Sequence, residues 1–128
     1  MITVTVQQLM DSVEVLQRLI SFSFPARTAF HIARLAREVD KEFSLLQKTR
    51  LQIIEQYGER DGEGQLKDDG HGTYLINKTD EQKFLEEYNE WLQTSIDVNI
   101  EPLQIDWLAD AFSITPKDMM RLEPFIKE

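Results

Sequence analysis

The stretch ARTAFHIARLAREVDKEFSLLQKTRLQIIEQY, residues 26–57, decides the fold. It runs 32 residues without Gly or Pro, between Pro25 and Gly58. Ile32, Ala36, Val39, Phe43, Leu46, Arg50, Ile53 and Tyr57 recur at alternating steps of four and three. That spacing places them along one face of a helix, as a heptad-type seam. At about 1.5 Å per residue the helix would be about 48 Å long. Gly58 reads as its C-cap. A rod of this length exposes an apolar seam that calls for a helical partner, from its own chain or from another copy.

Outward from this spine, the pattern shortens. Ile2, Val4 and Val6 alternate with Thr3 and Thr5 and predict a strand. Leu9, Val13, Leu16 and Ile20 predict a helix over 7–21, with Asp11 and Glu14 in its first turns. SFSFP at 21–25 breaks it. All five glycines lie in GERDGEGQLKDDGHG, residues 58–72, which reads with its flanks (58–79) as a flexible, acidic hairpin. Phe84, Tyr88 and Trp91 or Leu92 mark the buried face of a helix over 80–95, and Glu86, Glu87 and Glu90 its outer face. Ile96, Val98 and Ile100 predict a second strand that pairs with the first. DWLADAF at 106–112 reads as a helical turn, and Thr115-Pro116 opens a last helix to about residue 126. The sum is one domain over 1–128 of α+β class, mostly α: a long central helix, antiparallel helices packed on it, and a small β-sheet.

Composition narrows the function. The 128 residues include no cysteine, which excludes disulfides, a thiol nucleophile and thiolate metal sites. No apolar run is long enough to span a membrane. MITVTVQQ lacks the basic and apolar regions of a secretion signal, so the expected location is the cytoplasm. The net charge of −9 is asymmetric: residues 1–57 carry +1 and residues 58–128 carry −10. An acidic chain with one cationic helix is a poor general nucleic-acid binder. Starting an EF-hand template at Glu59 leaves Lys67 at position nine and Gly70 at position twelve, where a bidentate Glu is needed. His31 and His71 have no ligand-spaced companions, so no metal is expected. Neither a G-x-S-x-G elbow nor a P-loop occurs. We therefore expect no catalytic residues and no cofactor. A hydrolase using loop carboxylates and His71 trails the binding readings.

The sharpest feature is a basic stripe. Arg27, His31, Arg34, Lys41 and Lys48 share one face of the long helix, with Phe24 and Phe30 at its N-terminal end. Guanidinium groups grip phosphate, and aromatic rings stack on bases. The competing reading is that the stripe pairs with Glu86, Glu87 and Glu90, or is simply solvated. Arg50 is a cation inside the apolar seam, and Tyr57 lies two turns further on. Either Arg50 pairs with an acidic residue of the 80–95 helix or acts as a register device in an oligomer, or Arg50 and Tyr57 line a ligand pocket between helices. The candidate ligand-binding set is thus Phe24, Arg27, Phe30, His31, Arg34, Lys41, Arg50 and Tyr57.

The long-helix run, its ending in E-x-Y-G-x-x-D-x-x-G (Glu55, Tyr57, Gly58, Asp61, Gly64), the later IDVNIEPLQI and the closing ITPKDMMRLEPFI together carry a resemblance. The chain resembles a family of short phage-encoded proteins of unknown function. The resemblance covers nearly the whole chain and implies a phage origin and an accessory role in the host cell; it brings no catalytic residues. Two functions follow as expectations. One is a non-enzymatic homo-oligomer, dimer or tetramer, that sequesters a small anionic ligand such as a cyclic nucleotide immune signal, as an anti-defence sponge. The other is a protein-interaction or assembly factor, or an inhibitor of a host protein, without a small ligand.

Overall fold

A computed structural model describes residues 1–108 and 113–128. The chain is mostly helical: strand β1 (Ile2–Thr5), helix α1 (Val6–Leu19), helix α2 (Ala26–Tyr57), helix α3 (Glu81–Leu92), strands β2 (Ser95–Val98) and β3 (Leu103–Gln104), helix α4 (Pro116–Leu122) and strand β4 (Ile126–Lys127). The long helix has the bounds its flanking Pro and Gly predict. The part of the predicted 106–112 turn that falls on 109–112 lies outside the described residues. The rest is a 3-10 turn, Ile105–Trp107.

The chain forms two compact units. The first comprises residues 1–44 and 94–128, the second residues 45–93, and α2 contributes to both. In the first unit, β1 and β2 pair antiparallel with Ile2 opposite Val98 and Val4 opposite Ile96. The β-branched alternation put these residues on one face. A second, parallel pair joins β3 to β4. The core is aliphatic: Leu9, Leu16, Leu19, Leu35, Leu103 and Leu122 are buried, with Phe125.

Helix α1 starts differently from the expectation. No acidic residue lies in its first turn; Thr5 and Gln8 form a reciprocal capping box instead. The Thr5 hydroxyl accepts from the Gln8 amide, and the Gln8 side chain accepts from the Thr5 amide. Helix α4 begins as Thr115-Pro116 predicts, with the Thr115 hydroxyl accepting from the Asp118 amide. Asp118 also joins α4 to α1. Its carboxylate meets Arg18 at 3.0 Å and Arg121 at 3.9 Å, and its side chain is 12% exposed.

The hydrogen bond from Arg18 holds the Asp118 carboxyl below its ordinary range. A carboxyl depressed in the folded state contributes stability above its unfolded value and loses it as pH falls through the folded one. Acid is therefore expected to loosen α4 from α1. In Asp118→Asn, melting temperature should fall less steeply than in the parent as pH drops from about 5 to about 2. Parallel curves would rule this pair out as a source of acid sensitivity.

In the second unit, α3 packs an aromatic ladder against the end of α2. Tyr57 meets Phe84 edge-on at 6.2 Å, Phe84 meets Tyr88 at 5.4 Å, and Tyr88 meets Trp91 at 5.4 Å. Leu46, Ile53 and Ile54 are its buried aliphatic residues.

The glycine-rich segment carries an octapeptide repeat that the periodicity analysis passed over. ERDGEGQL (59–66) and KDDGHGTY (67–74) align as D-G-x-G turns, each followed by an apolar residue. Their aspartate contacts match. The Asp61 carboxylate accepts from the amides of Glu63 and Gln65, and that of Asp69 from the amides of His71 and Thr73. Gly64, Gly70 and Gly72 sit at positive φ, where a side chain is strained. The backbone closes into a ring. Lys67 N–H donates to Glu59 C=O at 2.8 Å, Leu75 N–H to Lys67 C=O at 2.9 Å, and Glu59 N–H to Leu75 C=O at 2.8 Å. Three positions eight residues apart thus satisfy one another, which a single hairpin would not provide.

Candidate functional site

The N-terminal half of α2 brings three of the candidate residues together and adds one from a distant segment. Pro25 precedes the helix and its carbonyl accepts from the Ala29 amide at 2.9 Å. One turn on, the His31 imidazole stacks on the Trp107 indole, with centroids 4.9 Å apart and planes 20° from parallel. Phe30 meets His31 edge-on at 5.8 Å. The Arg34 guanidinium lies 5.8 Å from the Phe30 centroid, at the outer limit of a cation–π contact. The Phe30 ring is 60% exposed. No core demands an aromatic there.

Beside the stack is a cleft of about 130 Å³, lined by His31, Arg34, Asn99, Ile100 and Glu101. Glu101 lies 3.9 Å from the N-terminal amine. Arg27 and Arg34 take part in none of the ion pairs among the described residues, and both are exposed. Lys41 meets Glu38 at 4.0 Å on its own helix. Glu87, one of the acidic residues of the competing reading, accepts from the Tyr57 hydroxyl. Phe24, just before the helix, is half-buried.

Arg50 and Tyr57 belong to the second unit and have their own partners. Arg50 Nε donates to the Tyr88 hydroxyl at 3.3 Å, so the residue that meets it from α3 is a phenol, not the expected carboxylate. The Tyr57 hydroxyl donates to Glu87 at 2.5 Å, and that bond raises its pKa above the ordinary phenol value. Both residues are half-buried and serve the α2–α3 packing. Lys48, exposed, also belongs to the second unit.

A larger concavity, about 660 Å³, lies on the β1–α1–α4 face. Its lining sets Asp11 and Glu123 against Lys117 and Arg121. Those charges balance, as Arg34 and Glu101 do in the smaller cleft, but no aromatic ring lines it, so it is the weaker candidate for a ring-containing ligand. Among the described residues no group of three or more His, Asp or Glu side chains is placed to hold a metal. No helix among them is long and apolar enough to cross a membrane.

Trp107 is the member of this aromatic cluster that sequence reading missed. It lies 76 positions from His31, and no periodicity connects the two. The one available signal was an indole within a short acidic turn, with no amphipathic helix to bury it. No protein-family model, curated protein or solved structure matches this chain.

Proposed function

We propose that the protein is a non-enzymatic binding protein that holds a small anionic, ring-containing ligand of the cyclic-nucleotide class on the Phe30–His31–Arg34–Trp107 surface. The observation that carries this reading is the pair of exposed arginines, Arg27 and Arg34, outside every described ion pair and beside an exposed aromatic face. Phosphate recognition uses guanidinium donors, and a ring is the general platform for a base. The cleft is below the usual range of about 300–1,000 Å³ for an enclosing ligand site. It takes a phosphate-sized group, while the ligand's ring lies on Phe30. Asn99 and the chain at Ile100 offer polar contacts at the edge. The proposal extends to a homo-oligomer that sequesters a signal of host defence in the host cell, one form of the accessory role that the resemblance to phage-encoded proteins implies.

The test is calorimetric titration of the full chain with a panel of cyclic and linear nucleotides. Binding by the parent is expected, with Arg27→Glu and Arg34→Glu each weakening it at least about tenfold, as loss of a charge-assisted hydrogen bond does. Lys83→Glu, an exposed charge in the second unit, should bind as the parent does. Equal binding by the two arginine variants, or no binding by the parent to any member of the panel, would overturn the reading. The second outcome would favour the alternative of a protein-interaction factor docking through the acidic second unit.

A further inference from the structure

A groove runs between α1 and the first half of α2. Its volume is about 280 Å³, and Val13, Leu16, Ile20, Ala36 and Val39 give it an apolar lining. Leu16 and Val39 are 2% exposed, so the floor belongs to the unit's own core. Ile20 is 54% exposed on the rim. A groove of this kind between two helices fits an amphipathic helix.

The rim identifies which helix. Arg37 and Asp40 line it from α2, three positions apart and opposite in charge. Neither takes part in an ion pair among the described residues. In a two-fold contact, residue i of one chain meets residue j of the other, and j meets i. Two antiparallel copies of α2 crossing between positions 37 and 40 therefore set each Arg37 against the other copy's Asp40. The surface is its own electrostatic complement, and the same contact covers Ile20 of both copies. The geometry points to a homodimer formed through the α1–α2 groove, with reciprocal Arg37–Asp40 ion pairs.

This assigns the interface of the homo-oligomer proposed above and rests on that reading only for the existence of an oligomer.

Sedimentation equilibrium of the full chain tests the proposal, with circular dichroism to confirm folding. The parent is expected to be a dimer at micromolar concentration. Arg37→Asp and Asp40→Arg each set two like-charge pairs in the interface and should weaken dimerisation about tenfold or more. The double variant, Arg37→Asp with Asp40→Arg, restores opposite charges and should recover the parent's affinity. A monomeric parent, a single variant that dimerises unchanged, or a double variant no better than the singles would overturn the interface. Arg27→Glu should leave dimerisation intact, so failure of the ligand reading and failure of the interface are separately visible.

Discussion

Truncating Phe125 to alanine is expected to destabilise the first unit by about 3–5 kcal/mol, the range for removing a fully buried phenyl group. Phe125 has no measurable exposure. It ends the 3-10 turn Glu123–Phe125, directly before β4 pairs with β3, and this turn also packs against β1. The ring therefore fills a space bounded by elements from both ends of the chain. The cavity left behind cannot be closed by a local adjustment, because α4 is held to α1 by the Asp118–Arg18 pair. Small domains are stable by only about 5–15 kcal/mol, so the loss is a large fraction of the total. Urea unfolding followed by circular dichroism should show a lower midpoint with an unchanged slope. A loss under about 1 kcal/mol would mean that the site collapses freely and that Phe125 is not a keystone of this core.

Much of this architecture is legible in the sequence, and the limits have physical causes. The bounds of α2 follow from the absence of Gly and Pro between Pro25 and Gly58. Its seam is recovered because Ile32, Val39, Leu46 and Ile53 repeat at heptad spacing and are all buried. Strand β1 follows from the alternation of Ile2, Val4 and Val6 with Thr3 and Thr5. Such features are local, so a periodicity reports them directly. The site is legible only in part, for the same reason. Phe30, His31 and Arg34 are neighbours on one helix, and their grouping needs no tertiary information. Trp107 completes the stack through the tertiary path of the chain, which no spacing encodes. Arg50 shows a related limit. Its place in an apolar seam required a polar partner, but the choice of the Tyr88 hydroxyl over a glutamate depends on how α3 is rotated. The repeat at 59–74 was legible in principle. Its D-G-x-G spacing is a turn code of polar residues and glycines, which leaves no trace in the apolar periodicity.

Gly58 gives the sharpest test of how the second unit is closed. It follows α2 directly, where a glycine usually serves as a left-handed cap. Here its φ is not positive, so conformational freedom is not the reason for glycine. The reason is space. A Cβ at this position would lie 2.6 Å from Leu66 Cδ2 and 2.8 Å from the Ile54 carbonyl oxygen. Leu66 is a side chain and has some freedom to move. The Ile54 carbonyl has little, because it accepts the Gly58 amide at 2.6 Å at the end of the helix. Gly58 also pairs with Ile76, next to the ring of bonds through Glu59, Lys67 and Leu75. Gly58→Ala is therefore expected to cost about 3 kcal/mol, the upper end for overpacking. Two other glycines calibrate the measurement. Gly62 has nothing within 4 Å and no positive φ, so Gly62→Ala should be neutral or slightly stabilising. Gly70 also has open space but a φ of +82°, so Gly70→Ala should cost about 1 kcal/mol from backbone strain alone. Trp91 fluorescence in a Trp107→Phe background reads the second unit directly during denaturation. The order Gly58, Gly70, Gly62 in falling cost would establish close backbone packing at the end of α2. A Gly58→Ala variant no worse than Gly70→Ala would show that Leu66 and the helix end yield, and that the ring of hydrogen bonds does not depend on this contact.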